Sequence, residues 1–429
     1  VALELGDPDY AKQIFDKAEI NATRLPGSGM AERVRLHRVV LQIRKGEDGQ
    51  ASSDIERIIE ALHGAGKSRL LLGQAHFYRG VLRMRRGDEQ AARADFSYAL
   101  ELYQKIAPNT IFVALAQLNL AKLDYRAGET NSARERLEQA IDIIERQRGA
   151  IIDVDAQIAF SENYFEAYSL LALLEAERGQ YARAVELLEQ SRARSLLAQL
   201  QRSQLETPYA PAAWRELWSQ IQSTEAERLE IQRRIASIYA LVETGEKLPE
   251  EAEQEARPFY TKLTELEQRL QQFEDALRAQ FPNEARLVAP PRLSLAVIQQ
   301  QLAPDVVLLY HALVEKNLLI LVVSKQEVHA RYRPVGSLDA LRSDIEEFIT
   351  AVKEQGESTE TGARLYETLI APAADLIRGY RRILLCSEGE LNLLPWAALV
   401  VETRNGKPVY WIERVAIHLT PSMGVYRYA

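Results

Sequence analysis

A repeat in the first half of the chain constrains the fold more than any other feature. Gly46-Glu47-Asp48-Gly49-Gln50-Ala51, Gly87-Asp88-Glu89-Gln90-Ala91-Ala92 and Gly128-Glu129-Thr130-Asn131-Ser132-Ala133 align with their leading glycines 41 residues apart. An Ala follows each Gly by five residues, and Ile55, Phe96 and Leu137 follow it by nine. Gly6, Ala11, Phe15 and Ala18 continue the pattern 40 residues upstream. Gly179, Ala184 and Leu188 continue it 51 residues downstream, the extra ten falling around Gly149 to Phe160. Apolar residues flank each Gly at helical spacing, as in Leu118, Ala121 and Tyr125, then Ala133, Leu137, Ala140 and Ile141. Gly ends one helix because it adopts left-handed backbone freely, and the acid that follows suits the N-terminus of the next. Ala at Gly+5 admits a close helix crossing, and the larger residue at Gly+9 fills the space beyond. A helix hairpin of this kind cannot bury its own face, so the units are predicted to stack into an all-α solenoid over residues 1–205.

The pattern resembles the tetratricopeptide repeat (TPR), in which a small residue at position 8 and alanines at positions 20 and 27 frame the turn. Those positions are Gly80, Ala92 and Ala99 in one unit, and Ala121, Ala133 and Ala140 in the next. A period of 41 in place of about 34 implies helices about one turn longer. Four full repeats are expected, with the second helix of a fifth at the N-terminus. The resemblance implies that the first helix of each unit lines a groove for a protein or peptide partner. Position 13 of that helix is Arg44, Arg85 and Arg126 in turn, then Glu177. Such a ladder of guanidinium groups suits an acidic peptide or a chain-terminal carboxylate. Leu36, Val40, Phe77, Val81, Leu115 and Leu118 would lie beside it as apolar contacts. Two alternatives stay open: the arginines pair with acids of neighbouring repeats, or the apolar residues pack against a later domain of the chain.

Ala61-Leu62-His63-Gly64-Ala65-Gly66-Lys67-Ser68 matches a relaxed phosphate-loop pattern. A phosphate loop follows a buried strand, whereas Ile55 to Glu60 read as the second helix of a repeat, so the glycines are predicted to form a turn. Beyond the solenoid, Thr207-Pro208-Tyr209-Ala210-Pro211 breaks the helix. Leu217, Ile221, Thr224, Arg228, Ile231, Ile235, Ile238 and Val242 then alternate spacings of four and three, as do Phe259, Leu263, Leu266, Leu270, Phe273 and Leu277. With a turn at Gly245 to Pro249, residues 206–285 read as an antiparallel coiled-coil hairpin, a spacer or a self-association element.

The apolar period changes after about residue 286. Val306 to Tyr310, Leu318 to Val323 and Val328 to Tyr332 read as neighbouring strands of a buried sheet, and helices follow at 338–354 and 361–378. Arg382-Ile383-Leu384-Leu385-Cys386 is another buried strand, leading into Ser387-Glu388-Gly389-Glu390-Leu391-Asn392-Leu393-Leu394-Pro395-Trp396. This strand, its acidic-Gly turn, Leu391, Leu394, Pro395, Trp396 and Leu399, then Glu413-Arg414 and Pro421-Ser422, resemble the first half of a CHAT domain. The resemblance implies a caspase-like cysteine endopeptidase module at residues 286–429, preceded as is usual by tetratricopeptide repeats and a helical linker, in a bacterial cytoplasmic protein. The α+β multidomain organisation follows from it. It also implies that the catalytic His and Cys lie beyond the Pro-Ser element, so that no catalytic residue is assigned here. A non-catalytic TPR scaffold, with a degenerate CHAT module, is the alternative.

The residues present supply no substitute dyad. Cys386 ends a buried strand, where Cys is an inert small hydrophobe, and His311, His329 and His418 sit in strand-like stretches. One Cys in 429 residues excludes a disulfide scaffold and any zinc site needing two thiolates. No spacing suggests a metal site and no cofactor is expected. A net charge of -8 argues against nucleic-acid binding, and Val306 to Val314 falls far short of the ~20 apolar residues that span a bilayer. The chain begins Val1-Ala2-Leu3 and reads as part of something longer.

Overall fold

The computed structural model describes residues 30–63, 68–106, 110–148, 154–192, 211–243, 247, 249–281, 293–354 and 356–426. The half-repeat around Gly6, most of the Gly64–Ser68 loop, Thr207–Ala210 and most of the Gly245–Pro249 turn lie outside them. Eight helices form four hairpins: α1 (Met30–Lys45) with α2 (Asp48–Leu62), α3 (Arg69–Arg85) with α4 (Glu89–Ile106), α5 (Ile111–Arg126) with α6 (Thr130–Arg148), and α7 (Val154–Glu177) with α8 (Tyr181–Arg192).

One local device builds all four turns. Gly46, Gly87, Gly128 and Gly179 have φ of 75°, 82°, 79° and 77°, the left-handed region in which an L side chain is strained. The amide of each Gly bonds the carbonyl three residues back, and the next amide bonds the carbonyl five back. The four instances of the second bond are Glu47 to Gln42, Asp88 to Arg83, Glu129 to Asp124 and Gln180 to Glu175, at 2.8–3.0 Å. This paired closure satisfies carbonyls that the helix end would orphan. Ala51, Ala92, Ala133 and Ala184 are wholly buried, as are Ile55, Phe96, Leu137 and Leu188. At Gly80 a Cβ would stand 2.8 Å from the Phe96 ring, so the small residue is a steric requirement there.

Two 32-residue helices follow, α9 (Ala212–Glu243) and α10 (Pro249–Gln280). They pack together with Ile221, Thr224, Arg228, Ile238, Leu266, Leu270 and Leu277 buried. Trp214 meets Phe281 edge-on at 5.6 Å, so the start of α9 lies at the end of α10 and the pair runs antiparallel.

The α/β region holds a five-stranded sheet in the order β3-β2-β1-β4-β7, from β1 (Val306–Val314), β2 (Asn317–Val323), β3 (Val328–Pro334), β4 (Arg382–Cys386) and β7 (Ala416–Leu419). β1 to β3 are antiparallel, and β1, β4 and β7 are parallel. Helix α11 (Leu295–Gln301) precedes the sheet, and α12 (Leu338–Lys353) and α13 (Thr359–Leu369) lie between β3 and β4. Phe348, Leu365 and Trp396 join Val307, Leu309, Ile320 and Leu385 in one buried cluster. The helix predicted over 361–378 is divided, ending at Leu369 before a 3-10 turn at Ala371–Ala373 and the short α14 (Ala374–Ile377). Pro372 causes the break, since it lacks the N–H an uninterrupted helix needs. A second, two-stranded sheet pairs β5 (Val400–Arg404) with β6 (Lys407–Tyr410). Its turn is Asn405-Gly406, both at positive φ, and the sequence reading did not anticipate it. A short helix, α15 (Met423–Tyr426), ends the described chain.

The chain divides into two compact units, Val1–Phe160 with Ala210–Phe281, and Ser161–Tyr209 with Pro282–Ala429. The division falls inside α7. The last hairpin, predicted as part of the solenoid, therefore shares a unit with the sheet.

Candidate functional site

The arginine ladder lies in the first unit. Arg85 Nη1 donates to the Ile43 carbonyl at 2.9 Å and to Asp48 Oδ1 at 3.0 Å. Arg126 Nη1 donates to Glu89 Oε1 at 3.2 Å. Asp48 and Glu89 open the second helices of the preceding hairpins, so each arginine ties one repeat to the one before. The two side chains remain 44% and 34% exposed. Arg44 is exposed at the end of α1. Of the apolar positions beside the ladder, Leu36, Phe77 and Leu118 are buried, Phe77 against the rings of Phe96 and Tyr78. Val81 is half-buried and packs on the same core as Leu36. Leu36, Phe77 and Leu118 therefore serve the packing of the repeats, and the open surface at the ladder belongs to the arginines and in part to Val40, Val81 and Leu115.

A second cluster lies in the other unit, and none of its members was singled out as a site residue from sequence. Arg192, the last residue of α8, has a side chain only 6% exposed. Its Nη1 donates to the Cys386 carbonyl at 2.8 Å, and its Nη2 donates to the His311 carbonyl at 2.6 Å and to Glu388 Oε2 at 3.1 Å. Ser169 Oγ on α7 donates to the same carboxylate at 3.2 Å. One turn back on α8, Glu189 accepts the Tyr310 hydroxyl at 2.5 Å and the Met423 amide at 2.8 Å. Burial pushes the Glu189 carboxyl up, against the opposing pull of these donors. Burial likewise raises Glu388, opposed by the adjacent Arg192 guanidinium.

The register explains why these groups converge. Tyr310 in β1 stands opposite Cys386 at the end of β4, and β4 and β7 run parallel, so their C-terminal ends lie on one edge of the sheet. That edge is where parallel α/β sheets carry functional groups. The segment after β7 is held by three further bonds. Cys386 Sγ donates to the Pro421 carbonyl at 3.1 Å, the Thr420 hydroxyl donates to the Ser422 carbonyl at 2.7 Å, and the Thr420 amide donates to the Leu385 carbonyl at 2.9 Å.

The cluster holds backbone in place and contains no activated nucleophile. Burial pushes the Cys386 thiol up to about 12, leaving no thiolate at neutral pH. Burial pushes the His311 imidazole down to about 4, so it is neutral and donates from Nε2 to the Leu369 carbonyl at 2.9 Å, beside the Trp396 ring. His329 is a half-buried partner of Glu327, and His418 is exposed on β7. Among the described residues no group of three or more His, Cys, Asp or Glu is placed to hold a metal ion, and no helix is long and apolar enough to cross a membrane.

A signal for the cluster was present in the repeat register. Thirteen residues after the turn glycine, the first three hairpins carry Ile59, Leu100 and Ile141, all buried, and the last carries Arg192. Ten residues before the glycine they carry Leu36, Phe77 and Leu118, and the last carries Ser169. Both departures replace an apolar core residue with a polar one, and both polar residues bond Glu388.

Comparison with known proteins agrees with the two resemblances read from sequence. The chain carries a tetratricopeptide repeat region, matched over residues 57–146, and a CHAT domain, matched over residues 359–428. No curated protein matches the chain. Among solved structures, BtubC (BKLC) from P. vanneervenii is similar at 15% identity, covering 65% of this chain and 94% of its own, with a TM-score of 0.35. A likeness of that size carries no argument.

Proposed function

We propose that this chain, with its tetratricopeptide repeats and CHAT domain, is the protein-interaction and regulatory part of a caspase-like cysteine endopeptidase. The repeats would engage a protein or peptide partner, and the residues of this chain would not themselves supply the catalytic dyad. The observation that carries the reading is the occurrence of both modules in one chain, at residues 57–146 and 359–428. Tetratricopeptide hairpins present stacked surfaces to partners. The state of Cys386 and His311 supports the second part, since one is held as a thiol and the other as a neutral, engaged imidazole. A cysteine peptidase needs a thiolate beside a base and donors for the oxyanion. The test uses the full-length protein. Its purified form should hydrolyse a co-purifying protein and lose that activity on Cys→Ala substitution downstream of Ser422. The absence of a His-Gly and an Ala-Cys element there would reject the peptidase reading.

The part-exposed ladder of Arg85 and Arg126 favours a second reading, a non-catalytic scaffold that takes an acidic peptide. Their present carboxylate partners, Asp48 and Glu89, mark the chemistry that an incoming acidic side chain would have to match. Charge reversal at Arg44, Arg85 and Arg126 should abolish capture of the partner by the intact chain, and undiminished capture would reject the groove. In either reading the α9–α10 hairpin acts as a coiled-coil spacer or self-association element in a bacterial cytoplasmic protein. Sedimentation of the intact chain over a range of concentrations tests the self-association, and a monomer mass at every concentration would reject it.

A further inference from the structure

The last hairpin has the turn of the other three but departs from their pattern at two core positions, and the departures face one carboxylate. Ser169 and Arg192 both bond Glu388, immediately beyond β4. Glu189, on the same helix as Arg192, bonds the start of α15, immediately beyond β7. The corresponding residues of two earlier hairpins, Glu56 and Glu138, have side chains 50% exposed, whereas Glu189 is 5% exposed.

We propose that Ser169, Glu189 and Arg192 are positioning residues through which the last repeat hairpin sets the conformation of the chain leaving β4 and β7, the Cys386–Glu388 turn and the Thr420–Gly424 segment.

The geometry gives the coupling a route. Arg192 spans the point where β1 and β4 part, bonding the carbonyls of His311 and Cys386, one on each strand. Its Cζ also lies 5.4 Å from the centre of the Tyr310 ring, whose hydroxyl bonds Glu189. One rigid helix thus grips both strand exits from positions 189 and 192. Met423 is wholly buried and Gly424 is buried beside it, so their amides have no water to replace Glu189 if it withdraws. A displacement of α8 must therefore break these bonds or carry the segment with it. The clamp stands on these contacts alone, whereas its regulatory meaning rests on the peptidase reading above.

Hydrogen exchange of individual amides in the intact chain tests the clamp without any assay of activity. Glu189→Gln should speed exchange at Met423 and Gly424 by about 10- to 100-fold, the value of losing a bond to a charged acceptor, while the β2 amides of residues 318–323 stay slow. Unchanged exchange at 423 and 424 would overturn the proposal. If Glu189→Gln releases the β2 amides as well, Tyr310→Phe replaces it. Phe removes one donor from the carboxylate and should loosen 423–424 alone by a few-fold, and unchanged exchange there would count equally against the clamp. Coupling to the helix is tested by a cycle with Leu188→Ala, a wholly buried position on α8. Alone it should speed 423–424 relative to β2; combined with Glu189→Gln it should add nothing, because the link is already cut. Additive effects would overturn the coupling. A full-length protein with an intact cycle but no peptidase activity would reject the proposed function and leave the clamp standing.

Discussion

The first three hairpins and the fourth share a turn, a buried Ala and a buried larger residue, yet they fill two equivalent positions with opposite chemistry. Where the early repeats bury Ile59, Leu100 and Ile141, the last buries Arg192; where they bury Leu36, Phe77 and Leu118, it buries Ser169. The early repeats meet further repeats, for which apolar side chains suffice. The last meets strand ends whose exposed carbonyls and Glu388 need donors. The repeat backbone thus tolerates either filling, and the neighbour decides which one a position requires.

The largest effect is expected from restoring the early-repeat residue at that position. Arg192→Leu leaves Glu388 buried without its cation and the carbonyls of His311 and Cys386 without a donor. A loss of roughly 3–5 kcal/mol is expected in chemical denaturation. Pairing it with Glu388→Leu should return most of the loss, and a single variant costing under about 1 kcal/mol would erase the contrast between the hairpins.

Next in size is a pH effect confined to the α/β unit. His311 is neutral in the fold at a pKa of about 4 but titrates near 6.5 when unfolded. Between those values the unfolded chain binds the extra proton, so stability is full above pH 6.5 and falls as pH drops toward 4, by roughly 3 kcal/mol. Burial raises Glu189 and Glu388, and those groups act with the opposite sign. The difference between wild type and His311→Asn isolates the imidazole: the variant should lose less stability between pH 7 and pH 4.5. Equal losses would mean that His311 is not held neutral.

The first unit offers a smaller, steric counterpart. Gly80→Ala places a Cβ 2.8 Å from Phe96 and should cost about 1–3 kcal/mol. Ala121→Gly, the reverse change one repeat on, should cost about 1–2 kcal/mol through chain entropy and the loss of a wholly buried methyl. Thermal melts that found Gly80→Ala harmless would show the crossing to be looser than the other repeats imply. Smallest of all, Arg85→Met and Arg126→Met break part-exposed ion pairs and should change stability by at most about 1 kcal/mol. A larger loss would make the ladder structural and weaken its reading as a partner contact.

The repeat turns were legible because their causes are local. A glycine at positive φ, an acid after it in the first three turns and an Ala five residues on lie within one short stretch of chain, and helical periodicity extends the inference along each arm. The buried strands were legible for the same reason, as short β-rich apolar runs. The Pro372 break and the Asn405-Gly406 hairpin carried equally local signals that the periodicity of their surroundings masked. The clamp was not legible as a site. Ser169, Glu189, Arg192, Tyr310, Glu388 and Met423 are scattered over most of the chain, and a glutamate in a repeat reads as solvated unless its neighbour is known. Sequence by itself therefore determined the hairpins, their register and the two positions where the last one departs from the rest. Only the tertiary structure decided what those departures meet, because removal from water, which makes a buried Glu–Arg contact consequential, depends on segments that the chain brings together over more than two hundred residues.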